Sequence, residues 1–285
     1  MRIQLGWFDD RLADRIIAIA AGELAPAVPR DAATVMVLRP ESASGQPGDA
    51  PEVLMLERPA AMAFAPGAYV FPGGSVDPDD ADPRIGWVAG SSPGEFGERL
   101  GCTPELARAL VCAAVRETFE ESGVLLAGGA DGAPAESDET SLAADRADLA
   151  AGRVTFAEVL ARRGLVIRAD LLTPWARWIT PEAEPRRFDA RFFAAALPPG
   201  QRASGHLAEA EQIGWERPEA AISAAKAGSM LLLPPTAAIL AEFAAHGRVG
   251  KILASRRTVT PIEPRLVIED GESWLIIPDE VGYPL

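Results

Sequence analysis

The chain has 285 residues, of which 48% are hydrophobic, and a formal net charge of −14. It is long enough to bury a sizeable core, whereas so acidic a protein is a poor nucleic-acid binder because it cannot replace the counterions along phosphates. No run of 18 apolar residues and no secretory leader stands in the sequence, so no membrane partner is expected. Two cysteines, Cys102 and Cys112, imply neither a disulfide framework nor a zinc site and favour a reducing cytoplasm.

The first part of the chain is predicted to contain one amphipathic helix and three strands. The helix follows Asp9 and Asp10 and ends near Gly22. Apolar runs predict strands at 32–39, 52–57 and 69–71. The third strand runs into the turn residues Pro72-Gly73-Gly74.

A polar stretch at 77–103 is predicted to be an inserted loop with a short helix at 95–100. Thr103 is a good N-cap and Pro104 suits the first helical position, so a helix is predicted from there to Ser122. Gly123 is a natural stop. A strand is expected directly after it, at 124–126.

The second half mixes helices and strands without a strict alternation. Helices are predicted at about 141–152, 155–164, 218–227 and 235–246. Strands are predicted at 175–179, 191–196 and 212–215, with a hairpin formed by 265–269 and 273–277. This order favours an α/β class with a mixed sheet over a doubly wound parallel sheet.

The most informative segment is Arg116-Glu117-Thr118-Phe119-Glu120-Glu121-Ser122-Gly123-Val124. On a helix, the three glutamates at i, i+3 and i+4 share one face. Val111, Val115 and Phe119 gather on the opposite face and are expected to be buried. Three like charges repel, and a hard divalent cation such as Mg²⁺ removes that repulsion. A glutamate pair alone is usually solvated surface, but the full pattern of Arg, three Glu and Gly rarely arises by chance.

This segment resembles the second half of the Nudix box, G-x5-E-x7-R-E-U-x-E-E-x-G-U, where U is aliphatic. Gly74 is followed after five residues by Asp80, where the family has Glu. From Asp80 to Arg116 there are 35 intervening residues instead of seven, which implies a 28-residue insertion. Thr118 also replaces the usual aliphatic residue. The resemblance leaves the glutamate triplet intact and the role of Asp80 open.

A box with this insertion resembles the branch that includes the peroxisomal coenzyme A diphosphatase. Segments at 29–39, 65–74, 175–182 and 186–198 are similar to it, as is Glu211-x-x-x-Trp215 before Pro218. The resemblance implies a Nudix α/β/α sandwich at 29–246 with the insertion at about 81–103. An N-terminal helical extension at 1–28 and a C-terminal β extension at 247–285, packed on the same domain, would complete the chain.

The resemblance also implies roles for individual residues. Glu117, Glu120 and Glu121 would bind Mg²⁺ or Mn²⁺, with Glu117 a ligand or the general base. Arg116 would orient Glu120. The backbone at Gly73 and Gly74 would approach the metal and the substrate. Outside the box, Glu209 and Glu211 are candidate ligands, and Glu211 fits the branch pattern better.

Hydrolysis of a diphosphate linkage in a nucleotide derivative is the activity that the resemblance implies. Arg58, Gly67 and Phe71-Pro72-Gly73-Gly74 keep the register of a coenzyme A motif, so Arg58 and Phe71 are candidate substrate contacts. Ala63 replaces the second arginine of that motif, and Arg186, Arg187 and Arg191 are either phosphate contacts or partners of acidic neighbours. The substrate is therefore coenzyme A or acyl-coenzyme A, or alternatively ADP-ribose or a dinucleotide. A non-catalytic Nudix-fold binding module and a homodimer stay open.

Overall fold

The computed structural model describes residues 1–4, 10–40, 50–60, 65–88, 92–133, 135, 139–204, 212–279 and 281–285. The helices in these ranges are α1 (Asp10–Ala20), α2 (Pro93–Leu100), α3 (Pro104–Ser122), α4 (Glu139–Ala150), α5 (Phe156–Arg163), α6 (Pro218–Lys226), α7 (Pro234–His246) and α8 (Val249–Leu253). Short 3-10 helices lie at Pro78–Ala81 and Ala169–Leu171. None of the helices in the described ranges is long and apolar enough to cross a membrane.

The strands alternate with the helices in an irregular order. They are β1 (Arg2–Gln4), β2 (Arg30–Pro40), β3 (Pro51–Glu57), β4 (Ala68–Val70), β5 (Gly73–Ser75), β6 (Ala127–Gly128), β7 (Val166–Ile167), β8 (Thr173–Ile179), β9 (Phe188–Ala196), β10 (Gln212–Glu216), β11 (Leu231–Leu232), β12 (Pro261–Ile262), β13 (Arg265–Glu269) and β14 (Glu272–Ile276). The main sheet has the order β11-β4-β3-β2-β9-β8-β12, with β10 on β3 and β5 on β2. Parallel pairs such as β2–β9 and antiparallel pairs such as β8–β9 occur together. The sheet is therefore mixed, as the element order predicted.

Helices cover both faces of the main sheet because the buried strands alternate their side chains between two cores. In β2, Val35 and Val37 join the cluster that contains the apolar side of α3. Met36 and Leu38 join the cluster on the other face, which contains residues of α7 and α8. This arrangement is the predicted α/β/α sandwich.

Helix α3 has the ends that its sequence predicted. The Thr103 hydroxyl accepts a hydrogen bond from Leu106 N at 3.3 Å, and Gly123 stops the helix with φ of 72°. Val111, Val115 and Phe119 are fully buried, as expected. Thr118, which replaces an aliphatic residue of the box, is also buried, and its hydroxyl donates to Ala114 O at 2.7 Å. This bond lets a polar side chain take an apolar position.

The prediction of a strand at 124–126 is wrong, since β6 begins only at Ala127. Val124, Leu125 and Leu126 are fully buried without strand pairing of their own. Instead, the side-chain amide of Gln201 accepts from Leu125 N at 2.8 Å and donates to Leu125 O at 2.9 Å. One glutamine thus satisfies the backbone that a neighbouring strand would otherwise have paired.

The two ends of the chain lie together. β1 pairs with β14 in a small sheet with β13, and the amino group of Met1 donates to Ile277 O at 2.8 Å. The expected hairpin at the C-terminal end is confirmed, with its turn at Asp270-Gly271 in the left-handed region. β12 pairs with β8 of the main sheet. How the chain divides into domains stays a prediction.

Candidate active site

Strand pairing places the segment before the insertion, at 73–75, beside α3. β5 pairs with the beginning of β2, so that Gly73 and Gly74 lie opposite Thr34 and Ala33. A Cβ on Gly73 would lie 2.5 Å from Ala33 O, and a Cβ on Gly74 would lie 2.5 Å from Glu117 Cδ. Real Cβ atoms essentially never come so close, so a side chain at Gly73 would collide with β2 and one at Gly74 would push Glu117 aside.

Arg116 is the centre of a network of hydrogen bonds on the polar face of α3. Its Nε and Nη2 donate to the two carboxylate oxygens of Asp80 at 2.9 and 2.8 Å. Nη1 donates to Glu117 at 2.7 Å and to Glu120 at 3.2 Å, while Nη2 also donates to Ser75 O at 3.0 Å. Burial would lower the pKa of Arg116, but its bonds to Asp80 and the charge of Glu117 raise it overall. The guanidinium is therefore permanently charged and fixed.

Asp80 joins the two halves of the box across the insertion. Its side chain is only 1% exposed, and besides Arg116 it accepts a hydrogen bond from Asp77 N at 2.8 Å. Although 35 residues separate Asp80 from Arg116 in the sequence, the two side chains are in direct contact. In this structure Asp80 is the partner of Arg116.

The three box glutamates lie on one side of α3, although their partners differ. Glu117 and Glu120 turn toward Arg116, whereas Glu121 accepts a hydrogen bond from Gly73 N at 2.8 Å. Burial raises the pKa of Glu117 to about 7, despite the opposing charge of Arg116. A carboxylate in this environment gains from a cation placed beside it.

Within the described ranges, no three Asp, Glu, His or Cys side chains already form a complete metal-binding group. The residues present nevertheless fit Mg²⁺ or Mn²⁺ in chemistry, because carboxylate oxygens are the hard ligands that these ions prefer. Mg²⁺ usually takes one or two carboxylates and completes its shell with water and substrate phosphates. Glu117, Glu120 and Glu121 offer three carboxylates on one helix face, from which the one or two ligands can come. Glu209 and Glu211, the other candidate ligands, lie outside the described residues.

The candidate substrate residues are placed by the same loop. Gly67 has φ of 70°, its N–H donates to Arg58 O at 3.0 Å, and Arg58 lies just after the end of β3. Phe71 is 3% exposed and packs in the cluster on the face of the sheet opposite α3. Its ring therefore packs the loop at 65–74 against the core on that face of the sheet. Ala63 lies outside the described residues.

Two of the three later arginines serve the fold. Arg187 is buried and donates to Ala27 O and to Glu263, and Arg191 is buried between Asp31 and Asp189. The sequence left two interpretations of these arginines, phosphate contact or pairing with acidic neighbours. Arg187 and Arg191 both pair with acidic neighbours. Arg186 is exposed.

Sequence reasoning missed one charged residue beside the carboxylates. Arg146 of α4 donates to Glu120 O at 2.6 Å. It belongs to no motif, and its neighbours in the segment Ala143-Ala144-Asp145-Arg146-Ala147 are typical of any surface helix. No local pattern could have shown that it is 5% exposed and in contact with α3.

Comparison with known proteins gives the family. Residues 96–241 match the family model described as the NUDT19 Nudix domain. The chain belongs to the Nudix family. This confirms the resemblance seen in the carboxylate segment, and the matched range includes all of α3 and begins within α2.

Individual Nudix proteins support the same assignment. The chain is 32% identical over 184 residues to "Putative nudix hydrolase 7" of Caenorhabditis elegans, covering 64% of this chain and 52% of that protein. It is 30% identical over 223 residues to "Acyl-coenzyme A diphosphatase NUDT19" of Gallus gallus, covering 65% and 58%. The chain thus spans little more than half the length of these two relatives.

A solved structure confirms the Nudix fold. The crystal structure of a Nudix hydrolase from Alicyclobacillus acidocaldarius is 28% identical and superposes with a TM-score of 0.64. The similarity covers 81% of this chain and 98% of that one. The mixed-sheet sandwich is therefore a Nudix fold.

Gly74→Ala should destabilise the protein by about 1–3 kcal/mol, the usual cost of forcing a methyl group into a packed site. The added Cβ would collide with Glu117 and displace it from Arg116. Urea unfolding measures this loss. Gly94→Ala in α2 is the matched control, because its Cβ would meet only Ser92 Oγ at 3.8 Å. Equal stability of the two variants would contradict the close approach.

Proposed function

We propose that this protein hydrolyses a diphosphate linkage inside a nucleotide-containing small molecule, with Mg²⁺ or Mn²⁺ as cofactor. The reassembled box carries the proposal: Arg116 holds Asp80, Glu117 and Glu120 together, and Gly73 N–H holds Glu121. A non-catalytic binding module has no need of so many fixed carboxylates. The hydrolase names of the Nudix relatives support the same activity.

Each part of the site has a role in this proposal. Glu117, Glu120 and Glu121 bind the divalent cation, and Glu117 is either a ligand or the general base. When bound, the cation neutralises the phosphate charge and activates the attacking water. Arg116 keeps the first two glutamates in place. The glycines at 73 and 74 let their backbone lie against β2 and Glu117, which brings that backbone to the cation and the substrate.

Coenzyme A or acyl-coenzyme A is the proposed substrate. The name of the Gallus gallus relative supports it. So does the loop at 65–74, where the backbone of Arg58 donates to Ala68 O and accepts from Gly67 N, in keeping with the register of the coenzyme A motif. Ala63 lacks the second cation of the motif, which favours the alternative of ADP-ribose or a dinucleotide.

Kinetics on coenzyme A and 3′-dephospho-coenzyme A should separate these substrates. A charged hydrogen bond contributes about 1.5–3 kcal/mol, or roughly one to two orders of magnitude in binding. Because Ala63 removes one such bond, we expect both compounds to be hydrolysed with little preference for the 3′-phosphate. A preference for coenzyme A above about a hundredfold would show that another cation replaces the arginine.

A phosphate-release screen with Mg²⁺ or Mn²⁺ completes the test. Cleavage of ADP-ribose or a dinucleotide without cleavage of either coenzyme A compound would replace the proposed substrate and retain the diphosphatase activity. No cleavage of any nucleotide diphosphate would remove the activity itself.

The location proposed is the cytoplasm. Cys102 and Cys112 are both free thiols, and burial raises the pKa of Cys112 to about 12, which makes it unreactive. A homodimer remains a proposal that sedimentation of the purified protein would test.

A further inference from the structure

Arg146 is a buried arginine that contacts the carboxylate helix from α4. Its Nε donates to the backbone oxygen of Glu120 at 2.6 Å. Its Nη1 donates to the backbone oxygen of Ser204 at 2.8 Å and to the Ser204 hydroxyl at 3.3 Å. Nη2 is also buried and finds no hydrogen-bond partner in the described part of the chain.

The burial of Arg146 has to be compensated by its surroundings. A buried guanidinium is costly unless its charge and its N–H groups are compensated. The hydrogen-bond partners identified for Arg146 are neutral oxygens. Burial lowers the pKa of Arg146, and the charges of Glu121 and Glu120 oppose that effect. Among the described residues, Glu121 and Glu120 of the candidate active site are thus negative charges that partly offset this burial.

The contact lies where α3 most needs support. The last carbonyl groups of a helix have no partner within it, and a cation at this end is favoured by the helix dipole. Arg146 binds Glu120 O in the last turn, and Ser204 N donates to Ser122 O at 2.9 Å beside it. Arg146 therefore joins α4, the end of α3 and the chain at Ser204.

We propose that Arg146 is a positioning residue for the divalent cation. By holding the last turn of α3 through Glu120 O, it keeps the side chains of Glu120 and Glu121 aligned with Glu117. Arg116 and Gly73 N–H hold the carboxylates themselves, whereas Arg146 holds the backbone that carries Glu120 and Glu121, so a loosened last turn would strain these carboxylate contacts. This inference rests on the proposed function, since it assigns Arg146 to the affinity of the same metal site.

Titration with Mn²⁺, followed by electron paramagnetic resonance of the free ion, tests the proposal without any substrate. We expect Arg146→Ala to weaken Mn²⁺ binding about tenfold or more, as loss of a group that orients metal ligands usually does. In assays, the Mg²⁺ concentration for half-maximal activity should rise by a similar factor, with a smaller change in kcat at saturating Mg²⁺. Added guanidinium should restore part of the affinity.

Two control variants separate this role from general packing. Arg163→Ala removes another largely buried arginine, which binds α4 through the Asp145 side chain at 2.6 Å. Gln201→Ala removes the neighbouring bonds to Leu125 but none to Glu120. Both should keep the wild-type Mn²⁺ affinity. An equal loss in either variant would overturn the proposal, because general packing would then explain the effect.

If Arg146→Ala fails to fold, Arg146→Lys tests the positioning role instead. Lysine keeps the charge but cannot bind Glu120 O and Ser204 O in the same planar geometry, so Mn²⁺ affinity should still fall. Wild-type affinity in Arg146→Lys, or in a folded Arg146→Ala, would refute the role. Arg146-dependent Mn²⁺ binding in a protein that cleaves no diphosphate would instead refute the proposed function and leave this inference standing.

Discussion

Replacing Glu120 or Glu121 by glutamine is expected to reduce diphosphate hydrolysis by more than about a hundredfold. Loss of a residue that merely supports a metal ligand costs about 10–100-fold, so loss of a ligand should cost at least as much. Glutamine keeps the size of the side chain, and its carbonyl oxygen can still accept the hydrogen bond from Gly73 N. Steady-state kinetics with saturating Mg²⁺ measure the loss.

A control on the same helix makes this result specific. Glu105 is exposed in the first turn of α3, so Glu105→Gln should keep normal turnover. Chelation of the wild-type protein should abolish activity, and Mg²⁺ or Mn²⁺ should restore it. Near-normal turnover in a folded Glu120→Gln or Glu121→Gln variant would refute the assignment of these residues.

Asp80→Ala should lower the free energy of unfolding by about 3–5 kcal/mol, the usual cost of breaking a buried ion pair from one side. The variant removes both hydrogen bonds to Nε and Nη2 of Arg116, whose side chain is only 13% exposed. Because Glu117 and Glu120 still offset part of its charge, the loss should lie toward the lower end of this range. Urea unfolding at neutral pH measures the difference.

The exposed pair Arg153–Asp148 provides the comparison for Asp80. Its side chains are 60% and 38% exposed, so Asp148→Ala should cost no more than about 1 kcal/mol. If Asp80→Ala were as mild as Asp148→Ala, the Asp80–Arg116 pair would contribute nothing beyond an ordinary surface contact. The joining of the two box halves would then lack an energetic basis.

Local features of the structure were predictable from the sequence. Thr103 and Gly123 mark the ends of α3 because caps depend on one or two neighbouring residues. The glutamate triplet follows from helical spacing in the same way. The sequence also predicted the strand at 32–39, which forms the greater part of β2.

Contacts between distant segments were not predictable. Arg146 and Glu120 are 26 positions apart, and Gln201 and Leu125 are 76 apart. Such pairs depend on how elements pack, and packing leaves no periodic trace in the residues themselves. The strand predicted at 124–126 failed for this reason, since a glutamine side chain took the place of a neighbouring strand. The contact between Asp80 and Arg116 was not predicted either, because the insertion places the two residues far beyond the usual spacing of the box.

The contact between Asp80 and Arg116 also affects how the segment between these two residues can change during evolution. The two ends of this segment are fixed in the folded protein, by the Asp77–Asp80 cap on one side and by α3 on the other. Closing a longer loop between fixed ends costs only about 0.6 kcal/mol for each doubling of its length. Residues can therefore accumulate at little cost to folding where this segment is exposed, as at Pro83 and Arg84 before the buried Ile85. That turn is a place where a reporter domain could be grafted onto a Nudix scaffold while its carboxylates stay in register.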